Sequence, residues 1–63
     1  MIRFKEQTEL TERDENGNEK PVHFNQGDVI EAETMKYDLD HTDLILDNGS
    51  SFMGIPNDLF EEV

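Results

Sequence analysis

Four aspartates crowd one short stretch of the chain: Asp38, Asp40, Asp43 and Asp47. Hard oxygen ligands at close spacing are what a calcium loop uses. The EF-hand pattern needs Gly at its sixth position and Glu at its twelfth, and counted from Asp38 those positions hold Asp43 and Gly49. The pattern fails, and the plainer reading is a solvated acidic loop. His23 and His41 are the only imidazoles and there is no cysteine, too few ligands for a zinc centre. A serine nucleophile would need a base and an oxyanion hole. Ser50 and Ser51 instead follow Asn48-Gly49, where serine is an ordinary turn residue. No Gly-rich stretch matches a phosphate-binding loop. These exclusions predict a protein that is not an enzyme and carries no cofactor.

The strongest global feature is charge. Sixteen acids face five Lys and Arg, a net charge of −11 over 63 residues. From Asp28 onward Lys36 is the only base. Phosphate contacts need Lys and Arg, so direct nucleic-acid binding is not expected, and the sign favours a partner protein with a basic surface. No stretch approaches the ~20 apolar residues of a membrane span. The initial Met, with no signal-peptide pattern behind it, predicts a short intact gene product in the cytosol.

The length allows one domain, residues 1–63, burying only roughly 60% of its unfolded surface. Period-two patterning points to β-structure. Ile2, Phe4, Thr8 and Leu10 share even positions, and residues 12–20 carry Asn16-Gly17, the favoured pair for a tight type I′ turn. The return segment contains Pro21, which lacks an amide donor and belongs on an edge strand or at a strand start. After the turn Asn25–Asp28, Ile30, Ala32 and Thr34 alternate with Glu31 and Glu33, placing the first three toward the core. Residues 35–43 read as a loop or a wide hairpin connection. Asn48-Gly49 makes a second tight turn, and Phe52 begins the return strand. Pro56 stops that strand, Asn57-Asp58 suits a turn or 3₁₀ start, and Glu61–Val63 can close as a short final strand.

The expected core is Ile2, Phe4, Leu10, Val22, Ile30, Ala32, Leu44, Leu46, Phe52, Ile55 and Phe60. Met35, Tyr37, Leu39 and Met53 are more than so small a core needs. Two or three of them are expected to complete it, Met53 foremost, and Tyr37 is the one most suited to an interface.

Two segments resemble SH3 domains and the wider group of SH3-like barrels. Phe24-Asn25-Gln26-Gly27-Asp28-Val29-Ile30 is similar to the apolar–turn–apolar stretch after that family's long first hairpin. Gly54-Ile55-Pro56-Asn57-Asp58-Leu59-Phe60 is similar to its closing Gly-x-Ile-Pro-x-Asn-Tyr-Val segment, with one residue missing between Gly and Ile. Residues 6–23 stand where the family has its RT loop, and Asn48-Gly49 where it has its distal hairpin. The resemblance implies a barrel of five to six short antiparallel strands with a 3₁₀ turn before the last. It does not extend to the aromatic strip that binds proline-rich peptides. The start reads Ile2-Arg3-Phe4-Lys5-Glu6, Trp is absent, Leu59 stands at the closing Tyr position, and only Pro56 matches. Length and the ending Gly54-Ile55, Phe60, Glu61-Glu62-Val63 also resemble the small SH3-like subunit of photosystem I. That family works through basic residues, the opposite sign.

The sequence thus predicts a small, acidic, protein-binding module of phage or bacterial type. The expected contact residues are Glu31, Glu33, Tyr37, Asp38, Leu39, Asp40 and Asp43. Two other readings fit the same composition: a nucleic-acid mimic that occupies a DNA- or RNA-binding protein, and an assembly subunit of a virion or larger complex.

Overall fold

The computed structural model describes residues 1–63, and they form an all-β domain. Eight short strands follow one another: β1 (Ile2–Phe4), β2 (Thr8–Arg13), β3 (Glu19–Phe24), β4 (Val29–Ile30), β5 (Glu33–Lys36), β6 (His41–Ile45), β7 (Ser51–Pro56) and β8 (Phe60–Glu62). A 3₁₀ turn over Asn57–Leu59 separates β7 from β8. All pairings are antiparallel, in a three-stranded sheet of order β4-β1-β8 and a five-stranded sheet of order β3-β2-β7-β6-β5.

The architecture corrects the expected count of five or six strands to eight, in two sheets. The count rises because two expected strands break. The first strand ends at Phe4, whose N–H and C=O engage Asp28 and Gly27, so the chain leaves the β1 ladder before β2 begins. The strand after Asp28 breaks at Glu31-Ala32, giving β4 to one sheet and β5 to the other. Residues 35–43, read as a connection, contribute Met35-Lys36 to β5 and His41–Asp43 to β6, leaving residues 37–40 as the loop. Pro21 does lie on an edge strand, β3, opposite Thr11.

The Asn16-Gly17 turn also differs from the type I′ expectation. Type I′ needs positive φ at both central residues. Here no residue other than glycine has positive φ. In the first turn Gly17 N–H donates to Asp14 C=O (3.0 Å), Asp14 N–H donates to Asn18 C=O (2.9 Å), and Gly17 alone is left-handed, at φ 84°. That is a three-residue loop, a type I turn followed by a left-handed glycine. The Asp14 carboxylate accepts the N–H groups of Asn16 and Asn18, both at 2.9 Å. The bond from Asn18, foremost, holds the Asp14 carboxyl below its usual pKa. The turn at Asn48-Gly49 repeats the arrangement, with Leu46 and Ser50 in place of Asp14 and Asn18. A Cβ at Gly17 would meet nothing within 4 Å, so Gly17→Val strains only the backbone. It should cost about 1–2 kcal/mol, read as a lower melting temperature. An unchanged melting temperature would show the hairpin tip to be uncoupled from the fold.

The core lies between the sheets: Ile2, Phe4, Phe24, Leu44, Phe52, Ile55 and Phe60. Six of these are in the expected set, while Leu10, Val22, Ile30, Ala32 and Leu46 pack against them half-buried. Phe24 is the addition. It stacks on Phe4 with ring centroids 4.3 Å apart and meets Phe52 edge-on at 5.5 Å, so it ends β3 inside the core rather than opening the turn. Two expectations reverse. Thr34 is exposed although it pairs with core-facing Leu44, because it lies on the edge strand, where its hydroxyl meets the Glu62 carboxylate. Met53 is 52% exposed, because core neighbours Phe52 and Ile55 in β7 turn it to the outer face.

Candidate functional site

The outer face of the five-stranded sheet carries an apolar patch built around Tyr37 and Met53. Strand alternation creates it: Leu44 and Phe52 point inward, so Met35 in β5, beside Leu44's partner Thr34, and Met53 in β7 point to solvent. Tyr37 leaves the end of β5 and lays its ring toward β7, where a Cβ on Gly54 would meet the ring edge at 3.9 Å. Gly54 has φ 65°, and its N–H donates to the Asp43 carboxylate at 2.8 Å, where the β6–β7 register shifts between Thr42 and Leu44. A glycine here serves the backbone angle; a Cβ would only touch the ring at ordinary contact distance.

Two shallow depressions meet at this pair. One, of about 250 Å³, is lined by Tyr37, Asp38, His41, Met53 and Gly54. The other, of about 310 Å³, is lined by Thr11, Arg13, Glu19, Tyr37 and Met53, where β2 diverges from β7 after their one pairing at Arg13 and Ser51. Tyr37 also meets the His41 ring edge-on, with centroids 6.3 Å apart.

The 37–40 loop is fixed from two sides. Asn57, in the 3₁₀ turn, donates its backbone N–H to Asp40 C=O and its amide Nδ2 to Leu39 C=O, and accepts from the Thr42 hydroxyl. Asp38 accepts from Asp40 N–H and pairs with His41 Nδ1, both at 2.8 Å. The His41 hydrogen bond, foremost, and then the Asp40 N–H hold the Asp38 carboxyl below its usual pKa. A depressed folded-state pKa stabilises the fold above the ordinary carboxylate value, and that contribution is lost as pH falls through the folded value. We expect an NMR titration of Asp38 to show a low midpoint that moves up in His41→Ala. An unchanged midpoint would remove the pair as its cause.

The seven residues expected to make contact separate into three groups. Tyr37, Asp38, Leu39 and Asp40 share the β5–β6 loop, with Leu39 83% exposed. Glu31 and Glu33 flank the sheet crossover and the start of β5, both exposed. Asp43 is half-buried and its carboxylate is engaged by Gly54 N–H, so it shapes the patch from beneath. Met53, His41 and Gly54 complete the patch. Met53 and Gly54 escape sequence reasoning because the β6–β7 pairing brings them to Tyr37, and His41 because the β5–β6 hairpin sets it opposite Tyr37.

The four aspartates do not converge: no group of three or more His, Asp or Glu side chains is placed to hold a metal ion. No hydrogen bond joins Ser50 or Ser51 to either histidine; His23 contacts Asn25, and His41 contacts Asp38. No helix is long and apolar enough to cross a membrane. Comparison with known protein families, with curated proteins and with solved structures finds no match.

Proposed function

We propose that this chain is a small, acidic, non-enzymatic binding module that contacts a basic surface on a partner protein in the cytosol, on a framework of SH3-like type. The observation that carries the reading is the Tyr37–Met53 patch, with Tyr37 62% and Met53 52% exposed on a domain of net charge −11. Exposed aromatic and Met side chains are enriched where proteins associate, and the carboxylates around them select the partner's sign. The framework is supported by the order of its parts. A long hairpin precedes a strand split between two sheets, a tight hairpin follows, and a 3₁₀ turn leads into a last strand beside the first.

The test is capture of the partner from the source cell, identification by mass spectrometry, and affinity measurement with purified components. Tyr37→Ala should weaken binding by about tenfold or more, the loss of an interface anchor. Equal affinity for Tyr37→Ala and the parent would reject the patch as the contact. Displacement of the partner by DNA would instead mark the carboxylates as phosphate mimics. A partner that assembles with the chain without either dependence would mark it as a structural subunit.

A further inference from the structure

The five-stranded sheet has two edges, and they differ. At one edge, β3 carries Pro21, which has no N–H to offer, and its Glu19 and Lys20 form ion pairs with Arg13 and Glu12. At the other edge β5 has neither proline nor bulge, pairs with β6 in unbroken register, and all four of its residues are exposed. A straight, uncovered edge strand is a template for another strand, and folded proteins ordinarily block such edges.

The hydrogen-bonding phase of that edge follows from the hairpin. Tyr37 N–H donates to His41 C=O, and Met35 faces Asp43 and Glu33 faces Ile45 in the same register. Bonded and non-bonded pairs alternate in an antiparallel ladder. Glu33, Met35 and Tyr37 therefore turn their backbone groups to β6, and Thr34 and Lys36 turn theirs outward.

Resting on the binding reading above, we propose that the free edge of β5 takes up an extended basic segment of the partner protein as an added strand. Charge sets the occupant. Glu31 and Glu33 are exposed beside the edge, and Glu62 reaches it by accepting the Thr34 hydroxyl at 2.9 Å. Lys36 is the one base there; Glu33 shares the outer face with Met35 and Tyr37, and Glu62 meets Thr34 on the other face, so a strand carrying both Lys or Arg and apolar residues is complementary to this edge. A second copy of the chain would bring another −11 to the same edge. An added strand would also lay its outer-face side chains beside Met35 and Tyr37, continuing the apolar patch.

The probe is a short peptide alternating Lys with Val or Thr, compared with the same peptide N-methylated on every residue, which removes the N–H groups of both edges. With the unmodified peptide, the Thr34 and Lys36 amides should exchange with solvent about tenfold more slowly. The N-methylated peptide should not bind. Thr34→Pro, which removes an outward N–H and no ladder bond, should weaken binding about tenfold or more, while Thr34→Ala should bind as the parent does. Equal binding of both peptides, or unprotected Thr34 and Lys36 amides in the complex, would overturn the proposal even if Thr34→Pro failed to fold. Protection that grows with protein concentration and needs no peptide would assign the edge to a second copy and overturn it too. Loss of binding in Tyr37→Ala but not in Thr34→Pro would reject strand addition and leave the patch reading standing. A peptide that binds neither edge nor patch would reject both.

Discussion

Removal of the last nine residues, leaving chain 1–54, is expected to abolish folding. Ile55 and Phe60 are two of the seven core side chains, and both leave with the segment. β8 is one of only two partners of β1, pairing Ile2 with Glu62, Arg3 with Glu61 and Phe4 with Phe60. Lys5 N–H donates to Leu59 C=O (2.8 Å) and Val63 N–H to Met1 C=O (3.0 Å), so bonds beyond the strand disappear as well. Without β8, Ile2 and Phe4, each 1% exposed, would open to solvent along one side. Burial of each such side chain stabilises by about 1.5–3 kcal/mol. The whole domain, at 63 residues, has on the order of 3–9 kcal/mol to lose. The loss matches or exceeds the total, so the truncated chain should give a collapsed amide NMR spectrum and no cooperative melt. Phe60→Ala alone should remove about 3–5 kcal/mol. A dispersed spectrum from residues 1–54 would contradict the role assigned to the closing strand.

The second large effect is electrostatic. Three of the sixteen carboxylates lie within ion-pair distance of Lys or Arg, in the exposed pairs Arg3–Glu61, Arg13–Glu19 and Lys20–Glu12; the other thirteen do not. Folding brings those charges together in a body of 29 × 24 × 17 Å. Self-repulsion destabilises a compact state of high net charge. The screening length falls from about 30 Å at 0.01 M salt to about 8 Å at 0.15 M and 3 Å at 1 M, so added salt relieves the repulsion across most of the domain. The melting temperature should rise by several degrees between ~10 mM and ~500 mM NaCl, since ~1 kcal/mol corresponds to roughly 4–8 °C in a domain this small. Glu31→Lys, Glu33→Lys and Asp40→Lys together should raise it in low salt and weaken binding to a basic partner. Asp43→Lys should act the other way on stability, because it removes the acceptor for Gly54 N–H. A flat salt dependence would mean the carboxylates sit too far apart to interact.

What the sequence disclosed and what it hid follow from the range of the forces involved. The closing segment was readable because its signals are local: Pro56 fixes φ, Asn57-Asp58 fits a 3₁₀ start, and Phe60 resumes the period of two. The inward positions Ile2, Phe4, Leu44 and Phe52 follow from alternation, whereas Ile55, three residues after Phe52, is turned inward by the β6–β7 register shift. Phe24 escaped because it stands next to the turn at Asn25, although it shares the inward face of β3 with Val22 and stacks on Phe4. The Asn-Gly pairs announced turns correctly, and in both the glycine alone is left-handed; the Asp14 carboxylate adds its bonds in the first. Thr34 and Met53 depart from expectation for separate reasons: Thr34 stands opposite inward Leu44 but on the edge strand, where it stays exposed, and Met53 follows inward Phe52 and so faces out. At the site, Tyr37 stood out as a large apolar residue in a polar loop. Its company did not, since Met53 and Gly54 reach it only through the β6–β7 register and Asn57 holds its loop from the far side of the fold.

The account stands most directly on whether the Tyr37–Met53 face binds a basic segment. A ¹⁵N-labelled sample titrated with the alternating Lys peptide gives the answer residue by residue. The amides of Tyr37, His41, Met53 and Gly54 should shift together and saturably, and the apparent affinity should fall as NaCl rises from ~50 mM to ~500 mM. Shifts absent from these four residues, or confined to the hairpin tip at Asp14–Asn18, would contradict it.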